Sequence, residues 1–348
     1  MKKPSKFLIF NALFLFLVFN IYGQQKDDYS AKIDSLISTT NPRSFNGVIL
    51  ITQKGKTKYL KAYGYSNFEK KIPLTTNDNF RIQSNSKQIT VVLILKEVEK
   101  GNIDLQSPIR KYLPDFPQTW ADTVTVHQML NLTAGIVEID KPLRFKPGTD
   151  HLYNNPTYGL LGKILEKVTG KRYISLANNL FKELKMKNSF CYEPGKNKLI
   201  NGYVSSNDTF KLNQTEMTEQ QWIDFIPAGG IISNLKDLNV WDTKLHNGKI
   251  LKPETYKLMT SYTITAQHDA FGAEKIGYGY GLRISDKTPV KYIGHGGKGL
   301  GFVSIKFYIP EKGVDVIVLE NHYSTDSKLH YYFESKIREI VINSSLAK

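Results

Sequence analysis

Two serines in the sequence are each followed, three residues later, by a lysine. The two segments are Ser84-Asn85-Ser86-Lys87 and Ser233-Asn234-Leu235-Lys236. On a helix this spacing places the hydroxyl and the amine on the same face. A lysine with a lowered pKa can take the proton of the serine and make the hydroxyl a nucleophile. Because the pattern occurs twice, a second criterion is needed to choose between the serines.

The residues that follow each serine supply this criterion. Residues 88–98 are strongly apolar and free of glycine and proline, which predicts a buried helix that begins just after Ser84. Backbone N–H groups at such a helix start stabilise an oxyanion. Ser233 has the pattern of a helix N-cap, with Asp237 in the first turn. On these residues alone, a capping role is an equally good interpretation of Ser84.

Two further polar segments precede or join predicted elements. Tyr153-Asn154-Asn155 comes just before a predicted helix over residues 157–168, which Gly170 ends. Gly294-His295-Gly296-Gly297 lies between two predicted strands. Taken singly, the first segment is typical of a turn and the second of a glycine-rich connection or bulge.

The hydrophobic pattern predicts strands near both ends of the chain and helices between them. Besides those already named, the predicted elements are a helix over 29–39, a hairpin of strands 46–53 and 57–65 joined at 54–56, a helix from about residue 233 with Leu238, Trp241 and Leu245 on one face, strands over 279–284, 290–293, 302–309 and 314–320, and a helix over 327–341. This order predicts an α+β fold with one antiparallel sheet built from N- and C-terminal strands, flanked by helices, and an inserted mainly helical lobe at roughly 104–254.

Residues 1–23 have the pattern of a signal peptide. Lys2, Lys3 and Lys6 precede an apolar run from Phe7 to Tyr22, and we expect cleavage near Gly23. An uncleaved membrane anchor is the alternative, although the run is slightly short for a span. Residues 24–348 would then form the functional domain, periplasmic or secreted and without a further membrane span.

The composition argues against several classes of function. The net charge is +15, but the lysines and arginines are scattered and no nucleic-acid motif accompanies them, so anionic envelope polymers are more natural neighbours than nucleic acid. The seven histidines show no metal-ligand spacing, and neither a metal nor a cofactor is expected. Cys191, the single cysteine, lies in a predicted strand and would serve as a small apolar residue.

Taken in order, Ser-x-x-Lys, Tyr-x-Asn and His-x-Gly resemble the serine β-lactamase and penicillin-binding-protein superfamily. The likeness is greatest to the class C branch and to the D-alanyl-D-alanine peptidase and esterase relatives, and it extends over nearly the whole chain after the leader. Residues 80–88 are similar to the nucleophile segment of that superfamily, and residues 145–162 to its second block. Residues 227–230, with Ser233 and Trp241, match a further block.

The resemblance implies a β-lactamase-like fold and a role for each motif residue. Ser84 would be acylated, with Lys87 and Tyr153 sharing the proton transfer. Tyr153 would be a phenolate-like base or its relay, assisted by Lys87 and a charged or hydrogen-bond-donating His295. Asn155 would orient Lys87 and the substrate amide.

The same resemblance places substrate-binding groups around the nucleophile. Gly297 and Lys298 would belong to the strand that holds the substrate. The backbone N–H groups of Ser84 and Lys298 would form the oxyanion hole.

Two departures from the superfamily pattern bear on the substrate. Leu132-Thr133-Ala134-Gly135 stands where His-Thr-Ser-Gly is usual, which removes a polar side chain. His295 stands where true β-lactamases have lysine, which argues against dedicated antibiotic hydrolysis. We therefore expect an exported serine hydrolase for amide or ester bonds in peptides or esters that contain D-amino acids, cell-wall peptides among them. The alternatives are a catalytically silent envelope-peptide binding protein and a weak β-lactamase that accepts β-lactams.

Overall fold

The computed structural model describes residues 27–195, 198–206, 209–286 and 290–348. The predicted signal peptide, residues 1–23, lies outside the described residues. Within the described ranges the chain forms nine α-helices and sixteen strands, and the predicted α+β class is confirmed. Among these helices none is long and apolar enough to cross a bilayer.

The elements largely follow the predicted order, with strands near both ends and helices between, but four short strands of the described ranges also lie among the helices between residues 190 and 233. The helices are α1 (Ser30–Ile37), α2 (Lys87–Glu99), α3 (Val126–Leu130), α4 (Pro156–Thr169), α5 (Tyr173–Leu184), α6 (Glu219–Gly229), α7 (Leu235–His246), α8 (Pro253–Met259) and α9 (Tyr332–Ile342). The strands are β1 (Gly47–Gln53), β2 (Lys56–Tyr63), β3 (Tyr65–Asn67), β4 (Ile72–Pro73), β5 (Phe80–Arg81), β6 (Phe190–Cys191), β7 (Tyr203–Ser206), β8 (Thr209–Leu212), β9 (Ile231–Ser233), β10 (Ile264–Ala266), β11 (Ile276–Tyr278), β12 (Arg283–Ser285), β13 (Tyr292–Gly299), β14 (Phe302–Ile309), β15 (Val314–Glu320) and β16 (His322–Ser324).

One eight-stranded sheet unites the two ends of the chain. Its strand order is β10-β11-β12-β13-β14-β15-β1-β2, and all neighbouring strands are antiparallel. The N-terminal β1 pairs with the C-terminal β15, from Gly47 opposite Glu320 to Gln53 opposite Val314. The prediction of a sheet assembled from both termini is therefore confirmed.

The sheet is buried on both faces. Along β1, Val48 and Leu50 belong to one hydrophobic core, and Ile49 and Ile51 belong to the other. This alternation follows from the two-residue period of a strand. Helices α1 and α9 cover the second core, while α2, α4 and α7 contribute to the first. Helix α2 is buried at every position from Lys87 to Leu95, so it runs through the centre of the molecule.

The structure corrects several predicted elements near the site. Helix α2 begins at Lys87, just after Ser84 as predicted, but Ser84 itself lies in a separate 3-10 turn, Gln83–Ser86. Ser233 is not the N-cap of α7 because the Asn234 side chain accepts the hydrogen bond from the Asp237 backbone. The side chain that caps the helix is thus one residue further along the chain.

Other corrections concern strand ends. Residues 279–284 do not form one strand, because β11 ends at Tyr278 and a turn with Gly281 at φ +61° precedes β12. The strand predicted over 290–293 begins at Tyr292 and continues through the glycine-rich segment to Gly299. The last predicted helix is a 3-10 turn, Ser327–Leu329, followed by α9. Cys191 is buried in β6, as predicted.

A buried ion pair joins α7 to the sheet. Lys306 on β14 donates a hydrogen bond to Asp242 on α7, and both side chains are almost wholly buried. Burial opposes ionisation of Asp242, but Lys306 and His246 together outweigh it through their charges and hydrogen bonds, and they leave the pKa of Asp242 below its usual value. Removal of one partner would leave an uncompensated charge in the interior.

Replacement of Lys306 by methionine should lower the free energy of unfolding by about 3–5 kcal/mol, because Asp242 then lacks its counter-charge. Adding Asp242→Asn to Lys306→Met should restore most of the loss. The control is Lys96→Met, whose ion pair with Glu183 is long and exposed and should contribute less than about 1 kcal/mol. Urea denaturation followed by circular dichroism measures all three. Equal losses in Lys306→Met and Lys96→Met would contradict a structural role for the pair.

Candidate active site

Ser84 is held on a turn that is fixed to the main sheet. Asn85 donates a hydrogen bond from Nδ2 to Oγ of Ser304 on β14 at 2.8 Å. The Ser304 hydroxyl in turn donates to the backbone oxygen of Ile82 at 2.9 Å. Ser84 is half-buried, whereas Asn85 and Ser86 are buried. The serine hydroxyl is thus accessible on an otherwise enclosed turn.

The amine of Lys87 is directed at Ser84 from the first turn of α2. Lys87 Nζ donates to Ser84 Oγ at 3.2 Å, to Asn155 Oδ1 at 2.7 Å and to the backbone oxygen of Ala228 at 3.1 Å. All three partners are uncharged. Because burial penalises the ammonium form, the pKa of Lys87 is lowered to about 7. A substantial fraction of the amine is therefore neutral at pH 7 and can accept a proton.

Tyr153 completes the surroundings of the serine hydroxyl. Its ring centroid lies 4.8 Å from Lys87 Nζ. Although 37% of the side chain is exposed, loss of water around its hydroxyl raises the pKa of Tyr153 to about 12, with a hydrogen bond to Ser84 and the charge of Arg283 acting in the opposite direction. This shift is opposite to the one that the phenolate hypothesis requires. The phenol is protonated at neutral pH, which favours the relay alternative.

His295 lies on β13 and is fully buried. Its Nδ1 lies 2.5 Å from the backbone oxygen of Gly296, and its Nε2 lies 3.3 Å from the Tyr278 hydroxyl. Burial, together with the charges of Arg283 and Lys87, lowers the pKa of His295 well below its usual value. The imidazole is therefore neutral, and the charged form considered from the sequence is not favoured. A proton on Nδ1, with Tyr278 donating to Nε2, satisfies both contacts.

Strand β13 passes very close to the nucleophile turn. A Cβ added to Gly297 would lie 2.6 Å from the Ile82 oxygen and 2.8 Å from the backbone nitrogen of Ser84. Only glycine permits this approach. Lys298 directs its amine to His330 Nδ1 at 2.9 Å, so its side chain does not fill the space at Ser84. The strand thus borders the nitrogen at which the oxyanion hole is predicted.

The second Ser-x-x-Lys segment has no comparable arrangement. Ser233 is fully buried and its hydroxyl lies 2.8 Å from that of Ser189. Lys236 is exposed. The structure therefore brings together Ser84, Lys87, Tyr153, Asn155 and the His295–Lys298 segment, and leaves the second serine in a structural position.

Sequence reasoning missed three contributors to the site. The Ala228 carbonyl accepts a hydrogen bond from Lys87. The sequence resemblance included residues 227–230 but assigned no role to this carbonyl. Arg283 is almost fully buried, with Cζ 5.3 Å from the Tyr278 ring centroid. A lone arginine within an apolar predicted strand was the available signal for Arg283. Tyr278 gave no signal beyond its aromatic type.

A cavity of about 350 Å³ adjoins Asn155. Its wall includes the apolar side chains Ile139, Leu160, Met217 and Phe225. This size and this lining are typical of a small-molecule site. No group of three histidine, cysteine, aspartate or glutamate side chains in the described part of the chain is arranged to hold a metal ion.

Comparisons with known proteins identify the family of the chain. A sequence model of the family described as Beta-lactamase matches residues 34–335. A teichoic acid D-alanine hydrolase of Staphylococcus aureus is 30% identical over 254 residues, which cover 66% of this chain. The match spans 60% of the length of that relative.

Solved structures share the fold. The octameric penicillin-binding protein homologue from Pyrococcus abyssi is 25% identical, with a TM-score of 0.76, over 90% of this chain and 76% of its own. The D-amino acid amidase from Ochrobactrum anthropi SV3 is 21% identical, also with a TM-score of 0.76, over 90% of this chain and 98% of its own. From the family match over most of its length, the chain belongs to the Beta-lactamase family.

Proposed function

We propose that this protein is an exported serine hydrolase that is acylated at Ser84 and cleaves amide or ester bonds formed by D-amino acids. The observation that carries the proposal is the contact between the accessible Ser84 hydroxyl and the buried Lys87 amine, whose pKa is lowered to about 7. Export rests on the signal-peptide pattern of residues 1–23.

The preference for D-amino acids is supported by the relatives. The teichoic acid D-alanine hydrolase is named for release of D-alanine, and the D-amino acid amidase for its D-configured substrates. The cavity beside Asn155 has apolar side chains that suit the side chain of such an acyl group. Neutral His295 stands where true β-lactamases have lysine, which favours a peptidase, amidase or esterase over a β-lactamase.

In the proposed acylation step, neutral Lys87 takes the proton of Ser84 as Oγ attacks the substrate carbonyl carbon. The oxyanion is held by the backbone N–H groups of Ser84 and Lys298. Tyr153 then donates its proton to the leaving nitrogen or oxygen and regains one from protonated Lys87. The bond to the leaving group breaks, and the acyl group remains on Ser84.

Deacylation reverses these roles with water as the nucleophile. Lys87, neutral again, takes a proton from water as the water attacks the acyl carbon. The Ser84 oxygen leaves and recovers its proton through Lys87 and Tyr153. Asn155 keeps Lys87 in place throughout by accepting its hydrogen bond at 2.7 Å.

Ser84→Ala should abolish the covalent adduct formed with a fluorophosphonate, because the nucleophilic oxygen is lost. Ser233→Ala is the matched control from the second Ser-x-x-Lys segment and should label like the wild type. Intact-protein mass spectrometry detects the adduct. Labelling that persists in Ser84→Ala would assign the nucleophile elsewhere, and no adduct on folded wild-type protein would favour the silent binding protein.

The rate of acylation should depend on pH through Lys87. Neutral amine is the active form, so the rate should fall about tenfold for each pH unit below a pKa of about 7 and level off above it. Stopped labelling reactions between pH 5 and 9, quantified by mass spectrometry, measure this profile. Circular dichroism at each pH controls for unfolding. A rate independent of pH from 5 to 8 would exclude Lys87 as the base.

Tyr153→Phe should slow acylation by about 10², because it removes the proton donor and keeps the ring. Tyr65→Phe, at another exposed tyrosine, is the control and should leave the rate unchanged. Pre-steady-state release of p-nitroaniline from D-alanine p-nitroanilide, whose leaving nitrogen needs the proton, isolates acylation. If Tyr153→Phe acylates as fast as the control, Tyr153 has a packing role only.

A further inference from the structure

A second cavity lies beside β5. The residue of β5 that lines it, Arg81, stands three residues before the nucleophile. The volume of the cavity is about 330 Å³, within the range of roughly 300–1,000 Å³ that is typical of small-molecule sites. Arg81, Tyr192, Trp222 and the start of β14 at Phe302 line it. Nothing in the proposed reaction uses this cavity.

Arg81 is buried in the wall of this cavity with incomplete hydrogen bonding. Only 6% of the residue is exposed. Its Cζ lies 3.8 Å from the ring centroid of Tyr192 and 4.6 Å from that of Trp222. Neither Nε nor Nη1 has a hydrogen-bond partner among the described residues. Buried charged donors without acceptors are strongly unfavourable.

The aromatic rings do not complete the coordination of the guanidinium. The rings cover its faces and the Tyr192 side chain makes one hydrogen bond to it, whereas the N–H groups of Nε and Nη1, in the guanidinium plane, still require acceptors. The described residues that line the cavity include no aspartate or glutamate. Arg43, similarly buried, has both terminal nitrogens bonded to Glu320 at 2.9 and 2.7 Å. Within the described ranges, no carboxylate acts on Arg81 in this way.

We infer that the Arg81 cavity binds an anionic oxygen group, a phosphate or carboxylate, supplied either as a free anion or as part of the substrate. A planar guanidinium matches these groups better than other anions. Asn201, Asn213 and Thr215 on the same wall can add neutral hydrogen bonds.

The position of the cavity suits a remote part of a substrate. It shares Tyr192 and Trp222 with a neighbouring cavity of about 430 Å³. That cavity shares Met217 with the one beside Asn155. Shared wall residues thus link the cavity beside Asn155 to the one beside Arg81. The inference that the cavity binds a free anion is independent of the proposed function. Only the alternative, that the anionic group is part of the substrate, rests on that function.

The binding test is calorimetric titration of the full chain with inorganic phosphate. Phosphate should bind the wild type with a Kd of about 1 mM, and Asn213→Asp should weaken binding at least tenfold because it places a carboxylate on the cavity wall. This variant keeps the acceptor oxygen that Thr215 uses at 3.2 Å. Gln106→Glu, an exposed change of equal charge, should bind like the wild type. Arg81→Gln, checked for folding by circular dichroism, should not bind.

The second arm compares two D-alanyl esters whose leaving alcohol carries a flexible chain long enough to span the intervening cavity, one chain ending in a hydroxyl and the other in a phosphate. A KM about tenfold lower for the phosphorylated ester, lost in Asn213→Asp, assigns the site to the substrate. If the two KM values are equal and Asn213→Asp still weakens phosphate binding, the site belongs to a free anion. If neither ester is hydrolysed, the proposed function fails while the titration still decides the site. The inference is overturned if phosphate does not bind and the two KM values are equal. It is also overturned if neither Asn213→Asp nor Arg81→Gln changes phosphate binding.

Discussion

The burial of one amine among neutral oxygens is the constraint on which the site depends. Lys87 Nζ contacts Ser84, Asn155 and the Ala228 carbonyl, and none of these oxygens carries a charge. In such surroundings the ammonium form loses hydration without gaining a counter-charge, so its pKa falls. The three acceptors come from a turn, a loop before α4 and the end of α6. The fold must therefore bring three separate parts of the chain to one amine.

The contrast with Lys306 shows that burial alone does not define a base. Lys306 is also buried, yet it faces the Asp242 carboxylate in an ion pair between α7 and the sheet. One lysine thus links two elements through a charge pair, while the other is surrounded by dipoles. Local sequence does not give the charge around each amine, because Asn155 lies 68 residues from Lys87 and Asp242 lies 64 residues from Lys306.

How well the sequence predicts a feature depends on how far apart along the chain the residues that determine the feature lie. The alternation of β1 and the apolar run of α2 depend on near neighbours, and both elements formed where the pattern placed them. The turn within 279–284 and the cap at Asn234 depend on local geometry at single residues. The sequence predicted one strand in place of that turn, and it placed the cap one residue too early, at Ser233. The Ala228 carbonyl and Arg283 entered the site only through tertiary contacts, which a linear pattern does not contain.

The relative pKa values of Lys87 and Tyr153 decide how the proton moves. To act as a phenolate at pH 7, a tyrosine with a pKa of about 12 would need roughly 7 kcal/mol, at about 1.36 kcal/mol per pH unit. Lys87, with a pKa of about 7, is available as a base at almost no cost. Neutral His295 supplies no charge that would close this gap. The same surroundings that lower the pKa of Lys87 thus keep Tyr153 protonated, and the proposed proton donation to the leaving group requires a protonated phenol.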